Sequence, residues 1–153
     1  MGIFGENLNS IMEKENLTYK KFAERLGYDR ERLSQLCSGS QDIALSTASR
    51  IAQRTNYSVS ALFSNSFKDD SNFRSRSTYE AFDVLEAYLS AVSSKMNAKR
   101  MTRAEIADKT DMDKASLTRI LNGQIRDPRI STLSIIADAI ESSLSDMFRK
   151  EQV

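Results

Sequence analysis

Apolar residues recur at helical spacing between residues 101 and 123 and predict two short helices joined by a tight turn. Thr102 stands three residues before Glu105, which is the pattern of a capping box at the start of the first helix. Asp113 precedes the second helix, and Gly123 ends it. The inward positions of the second helix are Leu117, Ile120 and Leu121, and its outward positions are Lys114, Ala115, Ser116, Thr118 and Arg119. A short helix with a basic and polar outer face is typical of an element that enters the major groove of DNA.

The same pattern occurs earlier in the chain. A shift of 84 residues lays 17–39 on 101–123 and pairs Thr18 with Thr102 and Asp29 with Asp113. After one inserted residue, a shift of 85 aligns 46–63 with 131–148. A self-match with a single gap, placed in a loop, indicates an internal duplication. We therefore predict a first domain at 1–66, a polar, serine-rich linker at 67–77 and a second domain at 78–153.

Helices alone account for each repeat. In the first repeat they are expected at about 3–15, 18–26, 29–37, then from Ser46, which is expected to cap the fourth, and at 58–64. The second repeat begins with a longer helix, about 78–97, whose additional turns carry apolar residues. The residues expected to cover something outside their own domain are Phe82, Leu85, Tyr88 and Leu89. Their target is the first repeat of the same chain or the same helix of a second chain in a homodimer, or else they serve only the second repeat itself.

Composition excludes several classes of function. The chain has 153 residues, no histidine, no tryptophan and a single cysteine, Cys37, so we expect no intrachain disulfide and no zinc site built from His and Cys. We find no paired-carboxylate motif or glycine-rich phosphate loop, and expect neither an enzyme nor a cofactor.

No apolar run approaches the roughly 18 residues of a membrane span, and we expect a cytoplasmic protein. The net charge of +1 is small for a nucleic-acid binder, so phosphate contacts require a local basic face.

Both repeats resemble the helix-turn-helix domain of lambda-repressor and Cro-type regulators, also called the xenobiotic-response-element family. The resemblance rests on the pairs Phe22-Ala23 and Ile106-Ala107, and on third helices that end in Ser38-Gly39 and Asn122-Gly123. It implies an all-α fold of two tandem five-helix domains, in which each third helix reads the major groove. The base-reading positions that the resemblance implies are Lys114, Ala115, Thr118 and Arg119 in the second repeat, and Arg30, Glu31, Ser34 and Gln35 in the first. The phosphate-binding positions are Thr102, Arg103 and Asn122, with Arg126 and Arg129 beside them, and Thr18, Tyr19 and Ser38.

These residues predict a sequence-specific transcriptional regulator, most readily a repressor, that binds double-stranded DNA. Because the two third helices differ in sequence, the operator is expected to be asymmetric and bipartite. The alternative is a protein-binding regulator, such as an antitoxin or an inhibitor of a host enzyme, whose first repeat does not read DNA. Glu31 and Asp42 in the first repeat favour this alternative. The clustered lysine and arginine residues of the second repeat oppose it. Besides DNA, the candidate partners are a second copy of the chain, through 78–97, and a protein antirepressor or target.

Overall fold

The computed structural model describes residues 2–39, 42–65 and 81–149, and for 81–83 it describes the backbone alone. The predicted linker, 67–77, and the side chain of Phe82 lie outside this description. The first repeat contains α1 (Ile3–Lys14), α2 (Tyr19–Leu26), α3 (Arg30–Ser38), α4 (Leu45–Thr55) and α5 (Val59–Leu62). The second contains α6 (Ala81–Lys99), α7 (Arg103–Thr110), α8 (Lys114–Leu121), α9 (Ile130–Ala139) and α10 (Leu144–Phe148). The all-α prediction is confirmed: within the described ranges, extended pairing is limited to an isolated bridge between Ala44 and Arg129.

The predicted capping residues begin the helices as expected. The Thr18 hydroxyl accepts from the Lys21 amide at 3.2 Å, and the Asp29 carboxylate accepts from the Arg32 amide at 2.7 Å. In the second repeat, Thr102 and Asp113 make the equivalent bonds to α7 and α8. These bonds satisfy amides that have no partner within the helix, which fixes where each helix starts.

The apolar core lies beneath the helix-turn-helix of each repeat and is continuous between the two repeats. The largest fully buried side chains of the first repeat are Leu8, Ile11, Phe22, Leu26, Leu33, Leu45, Ile51 and Leu62. Ile106, Leu117 and Ile136 occupy corresponding buried positions in the second repeat. The turn glycine of the first repeat, Gly27, has φ 77°, and its counterpart Asp111 has φ 58°. Aspartate tolerates this left-handed conformation, so the turn is preserved in both repeats.

The two repeats pack against each other through reciprocal helix caps. Asp42 accepts hydrogen bonds from the Ser131 amide at 3.1 Å and hydroxyl at 2.6 Å, at the start of α9. Asp127 accepts the equivalent bonds from the Ser46 amide at 2.8 Å and hydroxyl at 2.7 Å, at the start of α4. The expectation that Ser46 caps its own helix is wrong, because α4 begins at Leu45 and its capping carboxylate comes from the other repeat.

Equivalent residues also meet each other directly. The Ser60 hydroxyl donates to the Ser145 carbonyl oxygen at 2.6 Å, and the Ser145 hydroxyl donates to the Ser60 carbonyl oxygen at 2.8 Å. The rings of Phe63 and Phe148 lie 5.8 Å apart between their centroids. A contact in which each residue touches its own equivalent, and other pairs exchange roles, is isologous. The repeats are therefore related by an approximate twofold axis that passes near these residues.

Helix α6 contacts helices of both repeats. It packs against α10 of its own repeat and against α4 of the first repeat. Leu85 and Tyr88 are buried, and the Tyr88 hydroxyl donates to the Leu133 carbonyl oxygen at 2.6 Å. Burial raises the pKa of Tyr88 further above that of a free tyrosine, so the hydroxyl stays protonated and remains a donor. Tyr88 thus contacts Leu133 and Phe148 of its own repeat, while α6 as a whole also contacts α4 of the first repeat.

Candidate nucleic-acid interface

Helix α8 presents a polar face to solvent, and the apolar residues on its opposite face anchor it to the core. Leu117 and Ile120 are buried, whereas Lys114, Ala115 and Arg119 are exposed. Thr118 is half-buried beside them. A cationic and small-residue surface of this kind fits donor groups to the acceptor-rich edge of guanine and leaves room for close approach.

Arg119 is oriented by a chain of hydrogen bonds that runs along α8. Asp113 accepts from the Ser116 amide at 2.7 Å and from the Ser116 hydroxyl at 2.8 Å, and Arg119 donates from Nη2 to the Ser116 Oγ at 3.3 Å. The bond from the Ser116 amide, then that from its hydroxyl, and the nearby charge of Arg119 lower the pKa of Asp113. The apolar spacing of the sequence places Ser116 on the outward face of α8 and does not by itself indicate this hydrogen bond. Its position three residues after a capping Asp and three before an Arg is the signal for this positioning role.

The start of α7 brings three predicted phosphate-binding residues together. Thr102 caps the helix, and Arg103, its first residue, donates from Nη2 to the Asn122 Oδ1 at 3.0 Å. Asn122 lies at the end of α8, so this bond joins the two helices of the helix-turn-helix. Free amides at a helix N-terminus together with a guanidinium make a surface suited to a phosphate group.

Helix α3 carries a different set of side chains at the same positions. Arg30, Glu31 and Ser34 are exposed and Gln35 is half-buried. The carboxylate of Glu31 accepts but cannot donate, whereas the Gln35 amide can do both. The two third helices therefore offer different patterns of donors and acceptors to a groove.

The start of α2 lacks the guanidinium found at the start of α7. Tyr19 stands where Arg103 stands in the second repeat; it is 40% exposed, and its hydroxyl donates to the Cys37 thiol. Burial raises the pKa of Cys37, so the thiol is protonated at neutral pH and is a weak nucleophile. The Ser38 hydroxyl donates to the Gln35 carbonyl oxygen at 3.1 Å. At these two positions the first repeat therefore has Tyr19 and Ser38, both neutral, whereas the second repeat has the charged Arg103 and the neutral Asn122.

The sequence model of the lambda repressor/Cro-type helix-turn-helix family (HTH_3) matches the chain twice, at residues 8–62 and 93–147. The chain belongs to this family. The two tandem copies inferred from the internal repeat are confirmed. No curated protein and no solved structure matches the chain. Membership supports a DNA-binding helix-turn-helix regulator.

Three charged residues of this family member lie in contacts between or within the repeats. Arg129 is part of the bridge to Ala44, and its guanidinium donates to the Asp42 carbonyl oxygen at 3.4 Å. The Lys99 ammonium donates to the Ile140 carbonyl oxygen at the end of α9. Asp42, which was counted against DNA binding by the first repeat, is engaged in capping α9. Arg126 is exposed in the loop after α8.

In the part of the chain that the structure describes, no helix has the length and apolar character needed to cross a membrane.

Proposed function

We propose that the chain is a sequence-specific transcriptional repressor that reads an asymmetric, bipartite operator with two helix-turn-helix heads. The reciprocal contact between the repeats carries this proposal. Helix-turn-helix proteins commonly bind two half-sites about one helical turn, roughly 34 Å, apart by forming a symmetric dimer. Here the caps from Asp42 to Ser131 and from Asp127 to Ser46 relate two heads of one chain in the same manner. A single chain then occupies the place of a dimer.

The two heads read different bases in this proposal. Lys114 and Arg119 in α8 donate to guanine O6 and N7, and Ala115 allows the helix to approach a thymine methyl group. In α3, Gln35 pairs with adenine and Glu31 accepts from the N4 amino group of cytosine. Arg103 and Asn122 hold a phosphate at the start of α7 and set the register of the second head. The two half-sites of the operator accordingly differ in sequence.

Joining the heads also increases affinity. Once one head is bound, the other is held close to its half-site, so its binding is effectively intramolecular. A chain that covers both half-sites excludes other proteins from the same stretch of DNA, which is the simplest route to repression of a promoter.

Selection of bound sequences from a random duplex pool tests the proposal, with the full chain and two head-specific variants. We expect the wild-type chain to select an asymmetric bipartite site. Lys114→Ala with Arg119→Ala should erase the preference in one half-site, and Arg30→Ala with Gln35→Ala should erase it in the other. Ser90→Ala, on the exposed side of α6, is the control.

The outcomes separate the proposal from its alternative. If the Arg30 and Gln35 variant selects the same site as the wild-type chain, the first repeat does not read bases. If no sequence is enriched at low salt by any of the proteins, the chain does not act as a sequence-specific repressor, and a protein-binding regulator becomes the better hypothesis.

A further inference from the structure

Three arginines surround the turn between α2 and α3 of the first repeat. The guanidinium carbons of Arg32 and Arg50 lie 5.5 and 5.7 Å from the centre of the Tyr28 ring. Arg54 donates from Nη1 to the Arg25 carbonyl oxygen at 3.3 Å. A Cβ atom added at Gly27 would lie 3.5 Å from the Arg50 Nη2 and 3.9 Å from the Arg54 Nη1, so both groups adjoin the turn. We call Arg32, Arg50 and Arg54 the turn cluster.

The positive charge of the turn cluster is not neutralised by the described residues. Among residues 2–39, 42–65 and 81–149, no carboxylate forms an ion pair with any member of the cluster. The neighbouring Asp29 carboxylate caps α3, and Glu15 pairs with Arg25 at 3.0 Å. Within the same described ranges, the buried Arg32 Nε has no hydrogen-bond partner. Three like charges held near one another favour an anion bound from outside the chain.

The turn cluster is a feature of the first repeat alone. The shifts of 84 and 85 residues place Ser116, Ile135 and Ala139 at the positions of Arg32, Arg50 and Arg54. Met112 replaces the Tyr28 ring on which the guanidinium groups stack. Ile135 is 45% exposed, so the second repeat presents an apolar surface where the first presents Arg50. The cluster occurs in the repeat that lacks the Arg103 and Asn122 pair and carries Glu31 on its third helix.

We propose that the turn cluster binds phosphate groups of the DNA backbone beside the half-site that α3 reads. This inference rests on the proposed DNA-binding function and adds a second phosphate-binding surface to it. The cluster adjoins the N-terminal end of α3, and Arg32 is part of α3 itself. The major groove is about 12 Å wide and bordered by phosphates on both strands, so a helix in the groove places residues near its N-terminus close to the backbone.

The geometry of the side chains suits a phosphate. Guanidinium groups present planar sets of donors that match phosphate oxygens, and stacking on Tyr28 restricts Arg32 and Arg50 before binding. The two exposed members, Arg50 and Arg54, project from one helix, α4, four residues apart and therefore on the same face. The first repeat thus gains sequence-independent affinity that offsets the acceptor group of Glu31.

The test is the salt dependence of DNA binding by the full chain. In Arg50→Gln with Arg54→Gln, the slope of log affinity against log salt should become shallower by about two, since each phosphate contact contributes about 0.9. Affinity should fall by the same factor for the selected site and for a random duplex. Arg50→Lys with Arg54→Lys keeps both charges and should keep most of the slope. Lys95→Gln with Arg149→Gln removes the same net charge elsewhere and should keep the wild-type slope.

A second measurement uses the wild-type chain and does not depend on the folding of a variant. Ethylation of individual phosphates should interfere with binding beside the half-site whose sequence preference is lost in the Arg30 and Gln35 variant. An unchanged salt slope in the glutamine variant, or no interference at these phosphates, would overturn this inference while leaving DNA binding intact. Failure of the wild-type chain to bind any duplex at low salt would overturn both this inference and the proposed function.

Discussion

Ser60 and Ser145 occupy the same position in the two repeats, and each hydroxyl donates to the backbone carbonyl oxygen of the other residue, at 2.6 and 2.8 Å. Both residues are buried. Ser60→Ala should therefore lower the free energy of unfolding by about 1–2 kcal/mol, because a buried carbonyl loses its donor. Urea denaturation measures this loss. Ser90→Ala, an exposed serine on α6, should change stability by less than about 0.5 kcal/mol, and equal effects of the two substitutions would contradict the role of the Ser60 contact.

The reciprocal caps predict that a substitution in one repeat loosens a helix in the other. Asp42→Ala should speed amide hydrogen exchange at Ser131, at the start of α9, because that amide loses its acceptor. Asp127→Ala should instead speed exchange at Ser46 and its neighbours. Exchange read by mass spectrometry resolves the two helices. Faster exchange at the start of α4 in the Asp42 variant, without change in α9, would show that the caps do not cross between the repeats.

Substitution of two arginines of the second repeat should affect DNA binding in different ways. Arg119→Ala should cost about 1–3 kcal/mol on the preferred site and relax specificity at one base position, since it removes donors from the α8 surface. Arg103→Ala should weaken binding to all duplexes alike and make the salt slope shallower by about one, since it removes a phosphate contact. Fluorescence anisotropy with matched and mismatched duplexes distinguishes the two patterns. A loss of specificity from Arg103→Ala would reverse the assignment.

Gly5 fixes the distance between α1 and α3. A Cβ atom at this position would lie 2.0 Å from the Cys37 carbonyl oxygen, which belongs to the α3 backbone and cannot rotate away. Although alanine is the better helix former, Gly5→Ala should destabilise the chain by about 1–3 kcal/mol through overpacking. Denaturant unfolding measures the effect, with Asn9→Ala on the exposed face of α1 as the control. A stabilised Gly5→Ala variant would indicate that the two helices are farther apart.

The cap of α8 should weaken in acid. The pKa of Asp113 is lowered by its bonds from the Ser116 amide and hydroxyl, so the folded state favours the charged carboxylate. A depressed folded pKa contributes stability above the unfolded value, about 3.9 for aspartate, and that contribution is lost as pH falls through the folded pKa. The amide resonance of Ser116 should shift below about pH 4. Asp113→Asn should abolish that titration, and its persistence in the variant would assign it to another carboxyl group.

Local signals in the sequence were sufficient to predict the helices and the internal duplication. Thr18, Asp29, Thr102 and Asp113 act within three residues along the chain, so their roles follow from spacing. The apolar spacing of the third helices likewise places Leu33 and Leu117 in the core. Of the base-reading positions predicted on α8, Lys114, Ala115 and Arg119 are exposed and Thr118 is half-buried, and their contacts with DNA stay a prediction.

Other parts of the site depended on residues that are far apart in the sequence. Nothing adjacent to Asp42 or Asp127 indicates that each caps a helix of the other repeat, since their partners lie more than eighty residues away. Likewise, nothing adjacent to Lys99 indicates that its ammonium donates to a carbonyl oxygen 41 residues away, at the end of α9. Arg50 and Arg54 gave no sequence signal because they join Arg32 and Tyr28 only when α4 packs beside the turn.

Local sequence patterns were enough to predict the all-α class, the two repeats and the faces of their third helices, because capping and helical periodicity act over a few residues. The contact between the repeats, the carboxylates that cap helices across it and the clustering of arginines became visible only in the folded chain. These features depend on packing between elements that are distant in the chain. From the sequence, the negative charge of Asp42 seemed unfavourable for DNA binding, whereas in the structure its carboxylate caps α9 by accepting from Ser131.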